Sequence, residues 1–405
     1  MDKTTAPSTS NKVLGGPVHP DTRCLQTLKN FTAVALLFGF LFSPKLWLST
    51  RSFPLVPVFD FLPTVPAPFD SIYLGILISL LFLIIYRKGS LALLVFLFMS
   101  GIWVVLDQMR LQPWFYQYWM MLALLAWPLS RPGNPQFERG GLNACRFVIS
   151  SIYVWSGIQK LNHNFYVDVY PWLTEPLEQQ LPVVLWKVVD AGAYYVPYLE
   201  MLIGLGLLLW PIRYIAVRAA LAMHALLLYL LGPSNHDWNS IVWPWNIAMS
   251  AFVVLLFTRC RESPWSITWP NTFLPARGTL LMFGIMPAFS FLGLWDAYLS
   301  SALYSANTLR TEIRVSKQVY TSLPETAQEY VVFAYPDDEA RPYEADITNW
   351  ALTEMNVPPY PARRVYRRIA RRLAQRGGNR DQVELFILER PDWRTGKRQR
   401  TREEF

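Results

Sequence analysis

From residue 31 to residue 301 the chain is a succession of apolar runs with few charges between them, and charge density rises only beyond that point. Residues 1–301 carry 19 Lys/Arg and 14 Asp/Glu, whereas residues 302–405 alone carry 18 and 15. A stretch so poor in polar groups cannot clothe a water-soluble domain of its length. It suits helices, whose backbone polar groups are satisfied internally within a bilayer. Nine runs qualify: Phe31–Leu48, Ile72–Tyr86, Leu91–Leu106, Trp114–Leu129, Asn143–Gln159, Val196–Trp210, Tyr214–Leu231, Ile241–Thr258 and Gly278–Trp295. Several sit near the lower limit of about 17 residues for a spanning helix. With 52% apolar residues, 16% charged and only 3 Cys, the composition excludes disordered, collagenous and disulfide-stapled secreted chains. The fold class expected is an all-α polytopic membrane domain of about nine helices over 31–300. A polar N-terminal segment (1–30) precedes it, and a small soluble α/β tail (301–405) follows.

The connections sharpen this reading. Residues 52–70 are too rich in Pro for a helix and predict irregular chain at the membrane interface. The second half of 161–195 predicts a short helix lying on or re-entering the membrane. Alternating the runs gathers Lys3, Lys12, Arg23, Lys29, Arg87, Lys88, Arg131, Arg139, Arg213, Arg259, Arg261 and Arg277 on one side. The opposite side receives little beyond Arg51, Arg110 and Lys187. The bias predicts a cytoplasmic N-terminus and, for an odd number of crossings, an extracytoplasmic tail, as in a bacterial inner membrane or its equivalent. Cys24 and Cys260 then face the cytoplasm and Cys145 lies in a span; the tail has no Cys for an internal disulfide. Nucleic acid is not an expected partner, because the basic tail lies outside the cytoplasm.

Within the tail, Glu312–Ser316, Tyr330–Ala334 and Val383–Leu388 read as strands. Asp346 reads as the N-cap of a helix through Met355. Pro361–Gln375 reads as a second helix stopped by Gly377–Gly378. That helix sets Arg363, Arg364, Arg367, Arg368, Arg371 and Arg372 against a Val365–Ile369–Leu373 stripe. Its basic face is either a solvated surface over a sheet or an attachment point for anionic lipid head groups or an acidic extracytoplasmic protein. The final GKRQRTREEF is expected to be a loose end.

Polar groups inside the membrane domain each need a reason. Lys160 closes the fifth run, His224 lies within the seventh and Glu200 opens the sixth. The connection GPSNHDWNS supplies His236 and Asp237, and the WPWN that follows supplies Trp243 and Asn246. Asp107 and Arg110 close the third run at a spacing that also lets them pair with each other. Singly, each has an ordinary structural reading: a snorkelling Lys, a core His, an aromatic belt. Jointly they converge on one face of the membrane from several runs and predict a polar cavity open to the outside. With Trp155 and Trp243 among its lining, such a cavity suits a flat, lipid-soluble, quinone-like ligand. Only four His are present (His19, His163, His224, His236) and no ligand spacing points to a metal, so none is expected. Dinucleotide, P-loop, zincin, dithiol and serine-hydrolase signatures are all absent from the sequence.

Residues 146–165, RFVISSIYVWSGIQKLNHNF, resemble the signature helix of the vitamin K-dependent γ-glutamyl carboxylases and the related HTTM proteins of bacteria. Tyr153, Gly157, Lys160, Leu161, Asn162 and Asn164 match, with Phe165 at the signature's closing aromatic position. A hydrophobic hairpin from Glu200 to Phe257, carrying His224, extends the similarity, which covers roughly residues 70–260. The resemblance implies a multi-pass fold with the N-terminus inside and the tail outside. It also implies a reduced quinone, vitamin K-like, as cofactor, Lys160 as a base toward it and His224 at a quinone oxygen. Trp155, Asn162, Asn164, Glu200, His236, Asp237, Trp243, Asn246, Asp107 and Arg110 are the remaining candidate ligand-binding residues. Two alternatives stand beside this reading. One is a quinone-linked redox partner of exported proteins of the DoxX/MauE-like type, and the other a non-enzymatic lipid-binding or assembly factor.

Overall fold

The computed structural model describes residues 20–87, 90–269 and 274–405. His19, Lys3, Lys12 and Lys88 lie outside the described residues, as does most of the polar N-terminal segment. Helix α1 spans Pro20–Phe42. It begins before the expected residue 31 because Leu25, Leu28, Ala33, Leu36 and Phe40 recur at helical spacing and are all buried. Proline at its first position has no N–H to leave unpaired. Lys29, on the same helix, is buried and donates to the carbonyls of Ile84 and Arg87, closing the next helix where its own carbonyls run out. Helices α2 (Phe69–Tyr86), α3 (Leu91–Leu106), α4 (Pro113–Ser130) and α5 (Pro135–Gln159) follow. Next come α6 (Tyr170–Gln180), α7 (Val183–Ala191), α8 (Val196–Leu208), α9 (Arg213–Leu231), α10 (Val242–Phe257) and α11 (Pro275–Leu292).

Each of the nine apolar runs is helical over most of its length. Four of these helices, α1, α2, α9 and α11, are long and apolar enough by themselves to cross a membrane. A fifth candidate is the pair Val183–Tyr194 and Val196–Leu208, bent by 63°. The others fall short for identifiable reasons. Helices α3 and α10 have 16 residues each, about 24 Å of helix against a hydrocarbon core of about 30 Å. Helices α4 and α5 are long enough but carry buried polar residues, among them Gln117, Asn143, Arg146 and Ser150. Irregular chain does occupy residues 48–67, as the prolines require, and α7 is a short helix with no buried residue.

The tail is a five-stranded sheet with helices on one face. The strands are β1 (Arg310–Val315), β2 (Val331–Phe333), β3 (Tyr343–Ala345), β4 (Val383–Leu388) and β5 (Arg400–Glu403), in the spatial order β2-β3-β1-β4-β5. Every neighbouring pair is antiparallel, so the layer is α+β rather than the expected α/β. The chain end, expected to be loose, is instead the edge strand β5, registered on β4 from Leu385↔Glu403 to Leu388↔Arg400. Alternation puts Ile313, Val315, Leu385 and Ile387 on the buried face. Helix α12 (Ile347–Met355) starts at Asp346, whose carboxylate accepts the Thr348 and Asn349 amides. Helix α13 (Arg363–Arg376) lays Val365, Ile369 and Leu373 on the sheet.

The tail is fastened to one end of the helical bundle. Glu354 accepts the Ser52 and Phe53 amides at 2.7 and 2.8 Å and the Ser52 hydroxyl at 2.7 Å. Asn356 donates to Phe42 O and Ser240 Oγ, both at 2.8 Å, and Gln112 donates to Pro358 O at 3.2 Å. Arg364 pairs with Asp296 and donates to Gln108 at 2.7 Å. The His163 amide donates to Trp393 O at 2.9 Å.

Candidate functional site

Three side chains on one face of α5 define the site. Tyr153, Ser156 and Lys160 stand at i, i+3 and i+7, so a single helical stripe carries all three toward the same neighbours. Two glycines let those neighbours come close. A Cβ on Gly157 would lie 2.3 Å from Pro197 O, and one on Gly204 would lie 2.6 Å from Ser150 O. Helices α5 and α8 therefore meet backbone to backbone, which brings Glu200 opposite Lys160.

The outer polar cluster is an ion pair. Lys160 Nζ lies 2.7 Å from Glu200 Oε2 and 2.5 Å from Ser156 Oγ, with the two charged side chains 10% and 8% exposed. The inner cluster is a chain of hydrogen bonds across three helices. His224 Nδ1 lies 2.7 Å from Asn246 Oδ1, and His224 Nε2 lies 2.6 Å from the Tyr153 hydroxyl. The amide of Asn246 also donates to Val242 O at 2.8 Å, which fixes Oδ1 as the atom facing the imidazole. A carbonyl oxygen only accepts, so Nδ1 carries the proton and Nε2 accepts from the Tyr153 hydroxyl. The lone pairs of Tyr153 are then left for another partner.

Both clusters open into one cavity of about 540 Å³, within the range of about 300–1,000 Å³ of small-molecule sites. Its lining is predominantly apolar. Tyr116 and Gln117 of α4, Trp245 of α10 and Phe283 of α11 supply one wall. Trp172 of α6 and Tyr304 lie across the end nearer the tail, their rings roughly parallel with centroids 6.2 Å apart. Exposed Leu199, Ala222 and Leu226 lie on the rim between α8 and α9, where the bundle faces outward. Tyr116 stacks on Phe283 at 5.1 Å, and its buried hydroxyl has no hydrogen-bond partner among the described residues. A buried unpaired hydroxyl is costly, so one in a cavity wall marks a place for a ligand atom or a water.

Of the residues expected to converge, Lys160, Glu200, His224 and Asn246 do so. The others have structural tasks. Asp107 and Arg110 are at most 1% exposed and lie apart from the cavity: Asp107 Oδ2 is 2.6 Å from Arg51 Nη2, and Arg110 donates to Trp103 O and Leu46 O. The expected Asp107–Arg110 pair is thus a triad with Arg51 that fastens residues 46–56 to the end of α3, Asp107 also accepting the Val56 amide. Asn162 caps the end of α5, joining Gln159 O, Ser305 O and the Phe165 amide. Asn164 contacts Asp168 at 3.1 Å, and the close approach of Gly396 covers its other side. His236 stacks on Trp172 at 4.6 Å, behind the cavity wall. Asp237 is an exposed turn residue with φ 47°. Trp243 donates to Leu231 O at 2.8 Å, and Trp155 is half-buried and does not line the cavity.

The residues missed include Tyr116, Gln117, Ser156, Trp172, Phe283 and Tyr304, and Tyr153 was named only for its match to the signature. Only Ser156 carried a legible signal, its place between Tyr153 and Lys160 on one stripe. The rest arrive from distant segments. No known protein family, characterised protein or solved structure matches the chain.

Proposed function

We propose that the chain is a multi-pass membrane protein whose cavity, open on the side of the tail, binds a flat, lipid-soluble ligand of the quinone class, as the resemblance to HTTM and γ-carboxylase-like proteins implies. The observation that carries the reading is the pairing of an apolar cavity of about 540 Å³ with two separate polar clusters and the unpaired Tyr116 hydroxyl. The ring walls suit a planar body. Lys160 and Tyr116 offer donors, and the Tyr153 oxygen offers an acceptor, so a reduced quinone, whose hydroxyls both donate and accept, is matched at both ends. The rim between α8 and α9 admits it from lipid. Nine crossings, with the tail outside, fit the way the ends near 42, 53, 112, 163, 240 and 296 all meet the tail.

A reduced quinone would supply ionisable oxygens and an electron pair. Lys160 and Glu200 carry no net charge as a pair, and a proton can pass along their 2.7 Å contact. With the shared proton on Glu200, Nζ can take one proton from a ligand hydroxyl, and the ammonium so formed faces the ligand oxyanion left behind. Tyr153, held by His224 and Asn246, orients the far end.

Mass spectrometry of lipids and quinones that copurify with the protein tests this. Wild type is expected to retain a quinone-like compound near one per chain. Tyr116→Phe combined with His224→Phe is expected to lower retention about tenfold, the effect of about 1.4 kcal/mol of lost hydrogen bonding. Lys160→Met should retain the ligand but no longer take a proton from it. Recovery of bulk phospholipid alone would overturn the reading.

A further inference from the structure

We propose that the concavity between residues 57–60 and α13 binds the phosphate of an anionic phospholipid in the leaflet on the tail's side. The site has about 250 Å³ and is lined by Pro57, Asp60, Arg368, Arg371, Arg372 and Gln375. The four α13 residues fall at i, i+3, i+4 and i+7, one stripe of the helix. Three guanidinium groups face a single carboxylate, so the site holds an excess of positive charge. Asp60 meets Arg368 at 2.9 Å and Arg371 at 2.6 Å and remains 61% exposed. The Nε of Arg371 is buried with no acceptor among the described residues, and Arg372 reaches Gln375 at 3.3 Å. Burial holds Arg368 below the usual guanidinium range; Asp60 opposes that, and Arg371, Arg372 and Arg364 add to it. Guanidinium forks bind phosphate oxygens in pairs, so a phosphate satisfies the excess donors together.

The surroundings select a lipid over a soluble anion. Phe59 and Phe61 flank Asp60, stack at 5.4 Å, and are 52% and 81% exposed. Phe69 at the start of α2, and Ile72 and Ile76 one and two turns on along the same helix, are exposed as well. The arginines thus sit where α2 would leave the hydrocarbon, at head-group level, with two aromatic rings beside them to enter the acyl boundary.

Native mass spectrometry of the full chain in micelles containing equal phosphatidylglycerol and phosphatidylcholine reads the preference directly. Wild type should retain phosphatidylglycerol selectively. Each of Arg371→Gln and Arg372→Gln should reduce that selectivity about fivefold, the loss of one partly exposed guanidinium–phosphate contact. Arg376→Gln, at the end of the same helix but outside the site, should leave it unchanged. Should Arg371→Gln loosen the tail in limited proteolysis, Arg372→Gln carries the comparison. Equal retention of the two lipids by wild type, or an equal loss in Arg376→Gln, overturns the proposal. So does complete displacement of phosphatidylglycerol by inorganic phosphate at matched concentration, which would identify a site for the free anion.

Discussion

Glu354 shows what one side chain contributes to joining tail and bundle. Burial raises its pKa, but the Ser52 hydroxyl and the Ser52 and Phe53 amides lower it further, so the carboxyl is held below its ordinary value of 4.5. A depressed carboxyl contributes stability that is present above 4.5 and lost as pH falls through the folded value beneath it. Docking of the tail is therefore expected to weaken below about pH 4.5, read as faster amide exchange at Ser52 and Phe53. Glu354→Gln should weaken docking by about 1 kcal/mol at neutral pH, a charged hydrogen-bond contribution discounted for partial exposure. Other carboxyls, such as Glu312 and Glu403, are also held below their ordinary value by the groups that bond them. The difference between wild type and Glu354→Gln isolates this one, and an identical acid response in the two would exclude Glu354 as the cause. Nothing near Glu354 in sequence names Ser52 as its partner, since 302 positions separate them. The same distance hid Tyr116 and Trp172 from the site, whereas Lys160, Glu200, His224 and Asn246 were legible because charge or amide in an apolar run is costly wherever it lies.

At the scale of elements, apolar periodicity located the helices well and measured them poorly. Helix α1 starts at Pro20 because Leu25 and Leu28 continue its buried stripe into a segment whose composition is polar on average. Strand β5 was illegible because Arg400–Glu403 is highly charged and pairs through its backbone, with Arg402 and Glu403 answering charges on β4 and α13. The crossing of α5 and α8 is the element contact on which the outer polar cluster depends. Alanine at Gly157 would place a methyl 2.3 Å from a backbone carbonyl that cannot turn aside. Gly157→Ala is expected to cost about 3 kcal/mol, the upper end for overpacking, and to part Lys160 from Glu200. Gly101→Ala meets nothing within 4 Å and should be neutral or slightly stabilising. Thermal unfolding of the two variants in detergent separates them, and equal stability would refute the tight crossing.

For the whole molecule, four helices qualify by themselves as spans, and the proposed nine crossings require the shorter and partly polar helices to cross as well. A short or partly polar helix can cross when neighbours shield its ends and its polar side chains, as α5 hides Asn143 and Arg146 against Ser266 and Leu256. Among the described residues, contacts with the tail come from Phe42, Ser52, Gln108, Gln112, His163, Ser240 and Asp296, the ends that nine antiparallel crossings would bring to one side. In the proposed topology one crossing, α11, separates Arg261, in the connection after α10, from the tail and puts it on the opposite side. Two single-cysteine variants, Gln318→Cys on the tail and Arg261→Cys, built in a chain with Cys24, Cys145 and Cys260 replaced by Ser, test this in intact cells. Both positions are accessible at the surface, so reaction with a reagent reports the side of the membrane and not burial. A membrane-impermeant maleimide added outside should label Gln318→Cys at once and Arg261→Cys only after permeabilisation. Labelling of both from one side would mean that an even number of crossings separates them, and the arginine-rich connections would then owe their charge to something other than orientation.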